Sequence, residues 1–209
     1  IRDAETIETE LMLADMESLE KRMTALTKKA RSGDKDSKQL LDIVERVLKV
    51  LEDGKPARTV EVADDEQKTF KMLQLLTSKP ILFVCNVDEE SAADGNALSA
   101  RVAEMAAAQG AGAVVISAKI EEEVSQLDDE AEKQEFLETL GLEETGLTRV
   151  IRAGYELLDL ITFFTVGPKE ARAWTIIKGS KAPQGAGVID PDFEHGFTKA
   201  ETTARDNFA

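Results

Sequence analysis

The sequence predicts an α/β chain that carries a long antiparallel helical hairpin. Three observations lead there. Two apolar heptad seams stand near the start, with a short polar turn between them. A strand–helix–strand alternation follows in the middle. Two strand-like runs separated by Gly167-Pro168 lie near the end.

The hairpin comes first. Met12, Met16, Leu19, Met23, Leu26 and Ala30 recur at heptad spacing, and so do Leu40, Val44, Val47 and Leu51. Between the seams lies "RSGDKDS", where Gly33 can end one helix and Asp36 or Ser37 can cap the next. So short a connection makes the helices antiparallel neighbours. Gly54 and Pro56 end the hairpin, and a further helix is predicted over Asp64 to Leu76.

The middle region alternates. Ile81 to Cys85 is a short apolar run just after Lys79-Pro80, where Pro can begin a strand. It shows no alternation, so both faces are expected to be covered, as in a parallel sheet. Cys85 then reads as a buried structural thiol. An Ala-rich helix over Ala97 to Gln109 and a second strand over Ala113 to Ile116 complete a β-α-β unit with a right-handed crossover. Acidic helices are expected from Glu121 to Leu140. A closing amphipathic helix has Leu147, Val150, Ile151, Tyr155 and Leu158 on its apolar face. The last region holds "ITFFTV" and "ARAWTIIKG" as strands and Gly179 to Gly187 as loop. It reads as a small β-rich domain that is incomplete, because two strands bury little surface.

Composition narrows the function classes. The 209 residues are 42% hydrophobic and 32% charged, as a folded chain requires. One cysteine excludes an internal disulfide framework, and no stretch approaches the length of a membrane helix, so a cytoplasmic protein without membrane contact is expected. A net charge of −15 argues against nucleic-acid binding by the whole surface. The charge is uneven, however. Eleven acids stand against one Lys between Glu121 and Glu144, and seven basic residues fall between Lys21 and Lys38. Each run is explained equally by a solvated helical face.

The sharpest local feature is Asn86-Val87-Asp88-Glu89, a polar cluster at the end of the first strand. In parallel sheets, ligands bind beyond the carboxyl ends of the strands. On four residues alone, a turn capped by Asn86 accounts for it as well. Longer blocks decide the context. "NVDE", "ISAKIE", "LGLEETGLTRVIRAGYELLDLITFFTVGPKEARAWTI" and "DFEHGF" with "KAET" resemble the YchF/Obg-like ATPase family over essentially the whole chain.

That resemblance implies a specific organisation. Residues 1–78 become a coiled-coil hairpin inserted into a P-loop GTPase-like parallel sheet. Residues 79–159 become the C-terminal half of that α/β domain, and 160–209 a partial β-grasp domain of TGS type. It also gives "NVDE" a role. GTPases read guanine with NKxD, whose Asp accepts from the N1–H and the 2-amino group. Adenine offers no such donor pair. The family has NxxE instead and prefers ATP, so Asn86, Val87 and Glu89 are expected at the base. Ser117, Ala118 and Lys119 of "ISAK" are expected to flank it as a second base loop. Asn86 is expected to bond the base N7 or to hold the loop.

No GxxxxGK[ST] string for phosphates and Mg²⁺ occurs in the sequence. The resemblance therefore implies a fragment whose phosphate loop and Mg²⁺ ligands lie upstream of Ile1. On that reading the chain itself has no catalytic residue and no metal ligand. Asp190-Pro191 stands where the family pattern has His-Thr, and His195 reads as a surface loop residue.

Two functions compete. One is the central and C-terminal part of an ATP-binding, ATP-hydrolysing, ribosome-associated protein. The other is a non-catalytic RNA- or protein-binding module in which "NVDE" is a relic. Under either, Lys28, Lys29, Arg31, Lys35 and Lys38 at the hairpin turn are candidate contacts to rRNA.

Overall fold

The structure, a computed structural model, describes residues 1–204. The chain divides into two compact units. One comprises Ile1–Cys85 with Gly95–Ala113, the other Asn86–Asp94 with Val114–Ala209.

In the first unit, α1 (Arg2–Arg31) and α2 (Lys35–Glu52) form the expected hairpin. Met12, Leu19, Val44, Val47 and Leu51 of the two seams are buried, and Met16, Met23, Leu26 and Leu40 pack against them. Ile43 and Leu48, outside the simple heptad pattern, are buried too, because α2 is also covered by Ala57, Leu73 and Leu75.

The turn is a Schellman motif. Gly33 has φ +94°, its N–H donates to the Ala30 carbonyl, and the Asp34 N–H donates to the Lys29 carbonyl. The cap of α2 is Asp34 rather than Asp36 or Ser37. Its carboxylate is engaged by the Ser37 hydroxyl.

The third helix is shorter than predicted. Helix α3 covers only Gln67–Met72, and Gln74 adopts φ +54°. The reason lies on α1. The buried carboxylate of Asp15 accepts the amides of Leu76 and Thr77, both at 2.8 Å, and the Thr77 hydroxyl at 2.7 Å. A helix through Leu76 would turn those amides onto its own carbonyls and leave the acid without partners, which is costly in a buried site.

Strands β1 (Leu82–Asn86) and β2 (Gly112–Ile116) form a two-stranded sheet. The Gly112 amide donates to the Ile81 carbonyl, and the Val87 amide to the Ile116 carbonyl, so numbering rises together along both strands, as in a parallel pair. Helix α4 (Ala97–Ala108) connects them through a capping box between Asn96 and Ser99. The expectation that β1 is covered on both faces fails. Val84 is 46% exposed and Cys85 only half-buried, because β2 is its sole strand neighbour among the described residues. That partial burial still pushes the Cys85 thiol pKa up.

In the second unit, α5 (Ala118–Ser125) and α6 (Glu130–Thr139) enclose a small core of Ala92, Ile120, Val124, Leu137 and Leu142. Helix α7 (Gly146–Leu157) follows. The apolar stripe expected on α7 is only partly used in the described unit, with Leu147 60% and Ile151 51% exposed. Strands β3 (Leu160–Val166) and β4 (Ala171–Ile177) pair antiparallel through the Gly167-Pro168 turn, with Phe163 opposite Trp174.

The predicted loop over 179–187 is largely helix α8 (Ala182–Ile189), followed by α9 (Pro191–His195). Gly185 of α8 is buried and faces Phe163 and Ile176, and Gln184 caps the helix start. Asp190 caps α9 through the Asp192 amide, with Pro191 in its first turn, so both residues that depart from the family pattern have local roles. His195 ends α9 and is exposed.

Candidate functional site: two loops beyond the paired strands

Asn86 is the last residue of β1, and Ser117 directly follows β2. The Asn86 Oδ1 accepts the Ala118 amide at 2.9 Å. The segment after β1 is thereby tied to the start of α5. Of the two roles expected for Asn86, its oxygen makes the loop-holding contact, which leaves the second lone pair of Oδ1 and the side-chain NH₂ for a ligand. Val87 is half-buried, with its amide committed to the Ile116 carbonyl.

Asp88, assigned no role from sequence, caps the short 3-10 turn Glu89–Ser91 by accepting the Ser91 amide at 3.0 Å. An Asp three residues ahead of a Ser amide is a capping pattern that could have been read directly.

Glu89 opens that turn and reaches Lys119 on α5, with Nζ–Oε2 at 2.6 Å. The hydrogen bond and the charge of Glu89 raise the Lys119 pKa. Both side chains are well exposed, 64% for Lys119 and 38% for Glu89, so solvent screens the pair. Ser117 is 2% exposed, and its hydroxyl has no partner among the described residues.

The six residues expected at the base therefore gather on one rim. Asn86, Ala118, Glu89 and Lys119 are joined directly, Val87 lies beneath, and Ser117 is buried behind. The rim offers acceptors, the second lone pair of Asn86 Oδ1 and the Glu89 carboxylate, next to one cation.

Three residues that the sequence reading missed hold this rim from behind. Glu121 of α5 accepts the amides of Gly146 and Leu147 at 2.6 and 3.1 Å, so one helix's carboxylate caps another. Gly146 is required there, since a Cβ would lie 2.9 Å from both Glu121 Oε1 and Ile116 Cγ2. Arg149 donates to the Ala92 carbonyl, which follows the turn bearing Glu89. Glu121 could have been suspected from its place in "ISAKIE"; nothing local in the sequence marks Arg149.

With this geometry in hand, comparison with known proteins becomes informative. A family model for the C-terminal part of YchF GTPases, described as "Protein of unknown function (DUF933)", matches residues 160–209. The ribosome-binding ATPase YchF of Bacillus subtilis is 51% identical over 206 residues, covering 98% of this chain and 56% of the relative. Its Escherichia coli O157:H7 counterpart is 45% identical over 206 residues, covering 99% of this chain and 56% of the relative. The solved Schizosaccharomyces pombe YchF GTPase superposes with TM-score 0.78 at 31% identity, over 94% of this chain and 54% of that one.

The chain belongs to the YchF family. It spans about half the length of the curated YchF relatives it matches.

The basic residues at the hairpin turn fall outside this site. Lys28, Lys29 and Arg31 occupy the last turn of α1, and Lys35 and Lys38 the first turns of α2. All five are exposed, and none forms an ion pair among the described residues. Cations at the end of α1 favour the helix dipole, but those at the start of α2 oppose it.

Proposed function

We propose that this YchF-family chain carries the purine-recognising part of a ribosome-associated protein that binds and hydrolyses ATP. The domain reading stays as the sequence suggests: a hairpin over 1–78, the later part of a GTPase-like domain over 79–159, and a TGS-like region over 160–209. Asn86, Val87 and Glu89 with Ser117, Ala118 and Lys119 contact the base. One observation carries the reading: the bond from the Ala118 amide to Asn86 Oδ1 joins the two loops into one rim.

The chemistry of that rim favours adenine. The Ala118 amide, one donor that a keto oxygen could use, is already taken by Asn86, while the Asn86 side-chain NH₂ suits the N7 acceptor common to both purines. An exocyclic amino group instead meets the remaining acceptor capacity of Asn86 and Glu89. Because Glu89 and Lys119 are exposed in this chain, discrimination depends on the bound base itself excluding water from them, so that a mismatched base leaves them unpaired.

Mg²⁺ accompanies ATP in such proteins, where it shields phosphate charge. Among the described residues no group of three metal-ligating side chains is gathered, so no step is assigned to the ion here. Among those residues, no helix is long and apolar enough to cross a membrane, which accords with a cytoplasmic role beside ribosomes.

Competition of ATP and GTP for the complete protein tests the reading. Asn86→Ala should weaken ATP binding and narrow its advantage over GTP. Unchanged affinities in a folded variant refute the base site.

A non-catalytic RNA-binding role is favoured by a separate observation, the five exposed unpaired cations at the hairpin turn. The same protein can hold both activities.

A further inference from the structure

We infer that Arg149, a residue outside the rim, is the positioning residue that sets where Glu89 stands relative to Ala118 and Lys119. This rests on the proposed base site.

Segment 86–92 is held at both its ends. Its front is fixed by the Asn86 bond to the Ala118 amide and by the Val87 amide on the Ile116 carbonyl. Beyond Val87 the chain leaves the strand. Asp88 shapes the turn Glu89–Ser91 internally, but an internal cap does not place a turn against its surroundings. Ala92 at its end packs into the small core with Ile120 and Val124, and two polar interactions add to that anchor. One is the Glu89–Lys119 pair, which is exposed and screened. The other is the guanidinium of Arg149, whose Nη1 and Nη2 converge at 3.4 and 3.3 Å on the carbonyl of Ala92.

Ala92 is 1% exposed, so that carbonyl is removed from water and depends on its donor. The Arg149 Nε is buried without a partner, so the side chain accepts an unsatisfied group in order to reach this place. At 3.3 and 3.4 Å the contact is long for a charge-assisted bond, but its burial spares it the solvent screening that weakens the exposed pair.

The arginine is itself well anchored. It lies one turn into α7, whose first amides are held by Glu121 of α5. Helix α5 also supplies Ala118 and Lys119. Segment 86–92, α5 and α7 thus close a ring, with Asn86–Ala118 and Glu89–Lys119 on the base side and Glu121–Gly146 and Arg149–Ala92 behind it. Cutting the ring at Arg149 leaves the Ala92 carbonyl without its donor and loosens the turn that carries Glu89, without touching any group in contact with the base.

The test is nucleotide binding by the complete protein, with ATP and GTP as probes. Arg149→Ala should weaken ATP binding about tenfold, ~1.4 kcal/mol, and lower the ATP/GTP ratio. Arg149→Lys, which keeps a charged donor, should recover part of both. A merely structural residue would lower the melting temperature and leave the ratio unchanged. Wild-type affinity and ratio in folded Arg149→Ala, beside a loss in Asn86→Ala, overturn the positioning role alone. No loss in either variant overturns the base site and this inference with it. If Arg149→Ala does not fold, Arg149→Lys decides: an intermediate loss of ATP affinity with a reduced ratio supports the role, and wild-type values overturn it.

Discussion

The carboxylate of Asp15 on α1 accepts the amide and the hydroxyl of Thr77 at 2.8 and 2.7 Å, and that hydroxyl in turn accepts the Ala57 amide at 3.0 Å. Two segments far apart in sequence are thereby fixed to the hairpin by one buried acid. Removing it strands three donors at once. Asp15→Ala should cost about 2–4 kcal/mol, since each unsatisfied buried donor costs about 1–3 kcal/mol less whatever water recovers. Thr77→Val, which leaves Asp15 its two amides, should cost less. Urea unfolding of both variants measures the order, and equal stabilities of Asp15→Ala and wild type would remove the acid from the account.

Gly146 sits where α7 meets Glu121 and Ile116. Gly146→Ala should destabilise by ~1–3 kcal/mol, the range for overpacking a close contact, because the new Cβ lies 2.9 Å from Ile116 Cγ2. Glu121→Gln keeps an acceptor for one amide and should be milder. Thermal melts of the two variants check the ranking. A neutral Gly146→Ala would mean that β2 and α7 can separate without cost.

How much was legible follows from the range of each interaction. The hairpin seams, the Gly33 turn and the Gly167-Pro168 turn are local and periodic, and they appear as read. Helix α3 was overextended because its end is set by Asp15, some sixty positions earlier. The loop over 179–187 became α8 because Gly185 and Gly187 lie inside the helix, with Gly185 buried against Phe163, and no local rule distinguishes such a glycine from a turn glycine. At the proposed site, motif resemblance singled out residues that the fold joins in pairs, Asn86 with Ala118 and Glu89 with Lys119. Arg149 was missed because its partner is a backbone carbonyl, which leaves no mark in the sequence of either residue.

Base choice should follow the 86–89 segment. Val87→Lys with Glu89→Asp restores the guanine-reading pattern, shortens the acid and breaks its pair with Lys119. The GTP/ATP affinity ratio of the complete protein should rise by about tenfold or more, as hydrogen-bonding sites discriminate strongly. Competition binding measures it. An unchanged ratio in a folded variant assigns base choice to other residues.

Glu66 gives a pH prediction. Both its oxygens lie 2.7 Å from Nη2 of Arg46, and that bond holds its carboxyl below the ordinary 4.5. A depressed acid contributes stability above its unfolded value and loses it as pH falls through the folded value. The contribution is therefore full above 4.5 and declines below it. Glu66→Gln should lower stability at neutral pH and flatten the acid limb of the stability curve. Parallel curves for variant and wild type would show that the pair contributes nothing.

The last prediction concerns the hairpin turn. Cations in the last turn of α1 have a local explanation, since Lys28, Lys29 and Arg31 face the negative end of the helix dipole. Lys35 and Lys38 have the opposite relation to α2 and no ion-pair partner among the described residues. Positive charge kept against the dipole, in a chain of net charge −15, fits a phosphate-bearing partner better than helix stability. If the turn contacts rRNA, replacing all five with Gln should weaken ribosome association and flatten its dependence on salt, because fewer counterions are released. Replacing only Lys35 and Lys38 should weaken association while stabilising α2 slightly, a pairing of effects that a purely structural role does not produce. ATP affinity should be unchanged, since none of the five belongs to the base loops. Cosedimentation with ribosomes over a salt series, with helicity checked by circular dichroism, is the measurement. Superimposable curves for the five-fold variant and wild type would assign these lysines to solvent and move the search for an RNA contact to the β3–β4 region.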